Sequence, residues 1–145
     1  VRLNREAAIT EYLEPAQMLP APGQGSLAIE ATNSLAQRDP DLHKALSNLD
    51  DFFTHVAVDA ERAVLNALEA GCTAPVGALA TVTPAPSELK AESEIHLQAM
   101  TAAVDGSQMI RMSITGNASQ ADELGRDLAA LLLEAGAADL LGEHE

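Results

Sequence analysis

Glu94–Gly116, EIHLQAMTAAVDGSQMIRMSITG, is the stretch that decides the fold. Two runs of alternating apolar and polar residues flank Asp105-Gly106-Ser107, and that arrangement predicts a β-hairpin. Ile95, Leu97 and Ala99 share one face, and Ile110, Met112 and Ile114 meet them from the second strand. His96, Gln98, Arg111 and Ser113 fall on the opposite face, so one side of the sheet is predicted to be wet.

The elements on either side follow from this hairpin. Upstream, PVGALATVT (Pro75–Thr83) reads as a third strand of small residues, with PAPSELKAES as the connecting loop. Before it, Phe53–Gly71 repeats Val56, Ala57, Ala60, Val64, Ala67 and Leu68 at helical spacing, with Gly71 as a left-handed cap. A shorter helix starts near Pro40, with Leu42, Ala45, Leu46 and Leu49 as its apolar stripe. Downstream, Ser119–Leu141 reads as a helix with Ser119 and Asp122 as a capping box and Leu124, Leu128, Leu131 and Leu132 buried. Gly136 ends it. The fold class is α+β: a small three-stranded antiparallel sheet with helices packed on one face.

The first thirty residues fit this domain poorly. Asn4–Pro15 reads as a short helix capped by Asn4, with Ala8, Ile9, Tyr12 and Leu13 at helical spacing. Met18–Gly25, MLPAPGQG, is a turn-rich loop, and Ser26–Ala31 is a strand with no partner nearby. TNSLAQRDPD reads as a boundary. Val1 is not an initiator methionine, so the chain reads as part of a longer protein.

Composition excludes several functions. The chain has 22 acidic and 8 basic residues, a net charge of −14. Nucleic-acid binding needs a basic footprint, and so does an anionic membrane surface. Aromatics are 2% of residues while the hydrophobic fraction is 47%, so small side chains must build the core. One cysteine forms no internal disulfide, and neither a signal peptide nor an apolar run of spanning length is evident. Cytoplasmic localisation follows as the expectation.

LEAGCTAPVGA (Leu68–Ala78) holds that cysteine, Cys72. It could be a nucleophile, a metal ligand, a buried filler or a point of attachment. A nucleophile needs a lowered pKa. Cys72 follows a helix C-terminus, the negative end of the dipole, with Glu69 nearby and no Lys or Arg within several residues. The histidines, His43, His55, His96 and His144, have no ligand spacing with Cys72 or with one another, so no metal site is predicted. Buried filler is the default for a lone cysteine. Gly23-Gln24-Gly25 could offer backbone N–H groups to a ligand, although most such loops are only turns. Glu61 and Arg62 read most simply as a helix-surface ion pair.

Three segments carry a resemblance. LPAPGQGSLAIE (Leu19–Glu30), AERAVLNALEAGCTAPVGALA (Ala60–Ala80) and AAVDGSQMIR (Ala102–Arg111) resemble, in family order, segments of the porphobilinogen deaminases (hydroxymethylbilane synthases). The resemblance implies a tetrapyrrole-pathway transferase that condenses four porphobilinogen units into hydroxymethylbilane, releasing ammonia each time. It implies a dipyrromethane cofactor joined by a thioether to Cys72, with Gln24 and Gly25 offering backbone contacts. It also implies that residues 1–31 are the tail of a second domain plus the returning strand of a first. Residues 32–145 would then be a third, cofactor-attachment domain with an α-β-β-β-α order like the double-stranded-RNA-binding fold. Here the acidic charge argues against that fold's usual ligand.

The family's catalytic aspartate and its carboxylate-binding arginines lie in an N-terminal half that does not match this sequence. No catalytic residue is therefore assigned here. The chain alone is expected to be inactive, with Cys72 a free thiol. A homodimer through the exposed surfaces near Leu27 is a further expectation. A stand-alone binding or interaction module that kept the fold without catalysis is the other reading.

Overall fold

The computed structural model describes residues 3–71, 74–86 and 89–141, apart from the side chain of Ala91. Cys72 and His144 lie outside the described residues.

Five helices and three strands are described. In order they are α1 (Leu35–Arg38), α2 (Pro40–Ser47), α3 (Phe52–Ala67), β1 (Val76–Thr83), β2 (Glu94–Ala102), β3 (Met109–Asn117), α4 (Ala121–Glu134) and α5 (Ala137–Leu141). The strands form one antiparallel sheet in the order β1-β2-β3. The predicted hairpin forms with the predicted faces together, Leu97 opposite Ile114 and Ala99 opposite Met112. Asp105 closes its turn by accepting the Ser107 backbone N–H at 3.0 Å and its hydroxyl at 2.6 Å, and Gly106 takes φ 73°. These two bonds hold the Asp105 carboxyl below its usual range.

Helices α3 and α4 cover the Ile95–Leu97–Ala99 face, as the α+β reading requires. Ile95, Leu97, Leu128, Leu132 and Val64 are fully buried there, and half of the buried apolar side chains are alanine. The alanines let the helices approach closely. A Cβ on Gly125 of α4 would lie 2.5 Å from the Ala60 carbonyl oxygen of α3.

Several caps differ from those read in the sequence. Gly71 is not the left-handed residue that ends α3. Glu69 takes that conformation instead, at φ 51°. Its N–H bonds the Asn66 carbonyl and the Ala70 N–H bonds the Leu65 carbonyl, the two bonds of a Schellman ending. Ser119 and Asp122 form no capping box. The Asn117 side chain instead accepts from the Ser119 N–H and hydroxyl in a 3₁₀ turn before α4. Leu131 is exposed, because α4 turns only the Leu124–Leu128–Leu132 line inward. Gly136 does end α4, at φ 98°. Asp39 caps α2 by accepting the Leu42 N–H at 3.0 Å, with Pro40 in the first turn. The Leu42 and Leu49 stripe, however, stays exposed.

The amino-terminal predictions fail for want of partners. Residues 4–15 hold only a 3₁₀ turn, Glu6–Ala8, and Asn4 caps nothing. Tyr12 is 75% exposed, and Ile9 and Leu13 are also exposed. A helix of this length gains its stability from packing, and nothing here covers its stripe. Ser26–Ala31 forms no strand among the described residues, and Leu27 is 99% exposed. A lone strand without an edge to pair is not stable. The boundary segment contains α1.

The wet face of the sheet is also less open than predicted. Leu19, 4% exposed, sits on Gly77, where any Cβ would come within 2.9 Å of the Leu19 Cβ. Arg111 donates to the Ala16 carbonyl at 2.6 Å, and to the Pro15 carbonyl and the Gln98 Oε1 at 3.1 and 2.8 Å.

Candidate functional site

The site is built from α3, β1 and the loop that lies beside them. After the Schellman ending of α3 the chain enters the Cys72 segment, whose flanks are described. The Gly71 carbonyl accepts the Ala74 N–H at 3.0 Å, so the two ends of the segment are tied. The Pro75 carbonyl then accepts the Ala102 N–H at 3.2 Å, fixing the exit to the far end of β2. Proline adds its own restriction of φ. The flanks of Cys72 are therefore anchored to both helix and sheet.

The Gln24–Gly25 loop is compact. Gln24 N–H bonds the Ala21 carbonyl at 3.0 Å, Ser26 N–H bonds the Gly23 carbonyl at 3.2 Å, and the Gln24 Oε1 accepts the Ala21 N–H at 3.2 Å. Gly23 takes φ 72°, which only glycine adopts without strain. Gly25 is exposed, and its N–H and C=O make no bond to the described residues.

The structure sets this loop beside α3 and β1 at the end away from Gly71. Leu19 lies on Gly77, the Pro20 carbonyl accepts the Ala78 N–H at 2.9 Å, and Gly23 reaches Ala80 through Glu61. The segment thus runs in step with β1. Gln24 and Gly25 line a cavity of about 440 Å³ with Ala57, Glu61 and Leu79. Val76 and Ala80 are four residues apart on β1, about 13 Å of strand. No hydrogen bond joins Gln24 or Gly25 to Gly71 or Ala74.

Glu61 is the residue that sequence reasoning missed. It is 6% exposed and forms no ion pair with the described residues. Its Oε2 accepts the Gly23 N–H at 2.6 Å, and its Oε1 accepts the Ala80 N–H at 2.8 Å. The available signal was its position: four residues after Ala57 and three before Val64, inside the apolar stripe of α3. Its neighbour Arg62 is exposed and lines a second, open cleft of about 870 Å³ with Leu27, Ile29, His43, Asp50 and His55. Among the described residues the Arg62 guanidinium has no hydrogen-bond or ion-pair partner.

The remaining charge in that cleft is acidic. His55 Nδ1 lies 3.0 Å from Asp50, and its Nε2 lies 3.6 Å from Asp59. The Asp50 hydrogen bond, followed by the two carboxylate charges, raises the imidazole pKa above its ordinary value. Asp51 caps α3 by accepting the Thr54 N–H at 2.8 Å, and this bond holds its carboxyl low. No group of metal-ligating side chains occurs among the described residues, and none of their helices is long and apolar enough to cross a membrane.

Fold and site together define a small α+β domain that holds both ends of a cysteine segment between a helix and a sheet. The chain belongs to the porphobilinogen deaminase family. Residues 55–134 match the family description "Porphobilinogen deaminase, C-terminal domain". Residues 1–39 match a second, "Porphobilinogen deaminase, dipyromethane cofactor binding domain". A porphobilinogen deaminase of Nocardia farcinica is 52% identical over 143 residues, 98% of this chain and 40% of that protein. Porphobilinogen deaminase 1 of Streptomyces avermitilis is 47% identical over 148 residues, 99% of this chain and 44% of that protein. A Mycobacterium tuberculosis porphobilinogen deaminase is 48% identical over 141 residues, 97% of this chain and 44% of that protein. The chain therefore spans less than half the length of these curated relatives.

Proposed function

We propose that this chain is the C-terminal portion of a cytoplasmic transferase that polymerises four porphobilinogen units into hydroxymethylbilane. In this reading residues 1–31 belong with the other domains, and residues 32–145 form the cofactor-attachment domain. The observation that carries the reading is the pair of family matches, at residues 1–39 and 55–134, the second of which contains a cysteine segment whose ends are anchored.

Cys72 is the proposed anchor of the dipyrromethane. Its sulfur adds to the methylene carbon of a pyrrole unit that has lost ammonia, a carbon–sulfur bond forms, and the thiol proton passes to the pyrrole nitrogen. An anchor reacts once, so it needs fixed placement more than a lowered pKa. That suits a thiol placed after a helix C-terminus. When bound, the dipyrromethane supplies the pyrrole carbon on which the next unit is added.

The residues present fit attachment better than charge neutralisation. The unbonded Gly25 backbone groups suit a hydrogen-bonding ring system, and Arg62 suits one pyrrole carboxylate. Asp50, Asp51 and Asp59 repel others, so neutralisation of the acetate and propionate groups falls to residues outside this chain. We therefore infer that the chain alone does not turn over porphobilinogen and that Cys72 is a free thiol in it. In isolation, the exposed Leu27–Ile29 segment would pair with a second copy.

The purified chain is incubated with porphobilinogen, and product and intact mass are followed. The expected result is no hydroxymethylbilane and an unmodified mass. Turnover would overturn the inactivity; a dipyrromethane adduct on Cys72 would overturn the free thiol and would itself demonstrate the anchor.

A further inference from the structure

Glu61 is a buried carboxylate with no cation in ion-pair range among the described residues. Each of its oxygens takes a backbone N–H from a different part of the chain, Gly23 at 2.6 Å and Ala80 at 2.8 Å. Ala80 is on the edge of β1 that faces away from β2, and Gly23 opens the turn that presents Gln24 and Gly25. Charge-assisted bonds of this kind are about twice as strong as neutral ones. Pro20 is the last loop residue bonded directly to β1, and the turns after it are local. Glu61 is therefore what joins residues 21–26 to the sheet.

We propose that Glu61 is a positioning residue, a carboxylate latch that fixes the Gly23–Gly25 loop to the edge of β1. Two acceptors and a full glutamate reach are both required. Glutamine offers one oxygen and turns an N–H₂ group toward the other donor, while aspartate is one methylene short. The consequence for a bound cofactor rests on the reading above. The latch itself does not.

The test is NMR on the intact chain. In the unmutated protein, scalar couplings across the hydrogen bonds connect the Gly23 and Ala80 amide nitrogens to the Glu61 carboxylate carbon. In Glu61→Gln, both amide protons move upfield. Their hydrogen exchange quickens by roughly ten- to a hundredfold, while Leu97 and Ile114, paired in the hairpin, keep their protection. Absence of the couplings with both amides assigned would overturn the latch. So would exchange that quickens equally in all strands, the signature of general destabilisation. The couplings need no variant, so a misfolded Glu61→Gln leaves the proposal testable. Neither readout involves porphobilinogen, so failure of the transferase reading is seen separately, in the turnover assay.

Discussion

Gly125→Ala sets two effects of opposite sign against each other. In an exposed helix interior, alanine is favoured over glycine by about 1 kcal/mol. At Gly125, however, the added Cβ overlaps the Ala63 Cβ and lies 2.5 Å from the Ala60 carbonyl oxygen. A carbon–oxygen contact normally relaxes to about 3.3 Å, so α3 and α4 must part by about 0.8 Å. A gap of that size forfeits a quarter to a half of each dispersion well, about 1–2 kcal/mol over roughly thirty atom pairs. Strain in the side chains and backbone that cannot move adds about 1–3 kcal/mol. Set against the propensity gain, the net loss is roughly 1–4 kcal/mol. Thermal unfolding followed by circular dichroism should show a midpoint lowered by at least about 4 °C. Gly71→Ala is the control, since nothing lies within 4 Å of its added Cβ, and its midpoint should stay put. A Gly125→Ala midpoint equal to or above the parent's would mean that propensity had won, and would refute the close crossing of α3 and α4.

Two further outcomes are checkable. The His55 imidazole should titrate above the usual value of about 6.5, and Asp50→Asn should bring it down, as followed by ring proton shifts. Because the folded value is the raised one, the His55 contribution is fully present below the ordinary histidine pKa. It is lost as pH rises through the folded value; a stability profile flat across that window would refute it. Glu69→Gly should raise stability by about 1 kcal/mol in urea unfolding, because Glu69 occupies the left-handed position of the α3 ending. A loss of stability there would show that the Glu69 side chain contributes more than its backbone strain costs.

The hairpin was legible because its signal is local. Alternation in Ile95–Leu97–Ala99 and Ile110–Met112–Ile114, with Asp105-Gly106-Ser107 between, fixes strands, turn and shared face together. The Asn4–Pro15 and Ser26–Ala31 segments were not legible, since Tyr12 and Leu27 carry apolar patterns that nothing among the described residues covers. Patterning says which face seeks a partner, not whether one is present. Glu61 failed for a different reason. A charge on a helix reads as surface, and only the approach of residues 23 and 80 turns it into a buried acceptor. The family resemblance named Gln24 and Gly25 but said nothing of where their loop lies along the sheet. That place depends on the direction in which Leu19–Gly23 runs along β1.

This direction also separates sequence boundaries from mechanical ones. By sequence, residues 1–39 go with one family description and residues 55–134 with another. By contact, residues 15–23 go with the sheet. Arg111 grips the carbonyls of Pro15 and Ala16, Leu19 occupies the space that Gly77 leaves open, Pro20 bonds Ala78, and Gly23 is tied through Glu61. Each fastening uses a different interaction, so no single substitution releases the whole segment. Its two ends differ in burial: both are charge-assisted, but at Arg111 the bonds are exposed and open to competition from water, and at Glu61 they are part-buried or buried. Opening should therefore begin at Pro15 and reach Gly23 last. A pull on the preceding or following chain would then bend it on either side of residues 15–23, not within them. The Gln24–Gly25 loop, on the Glu61 side, would stay in step with β1 while the rest moves.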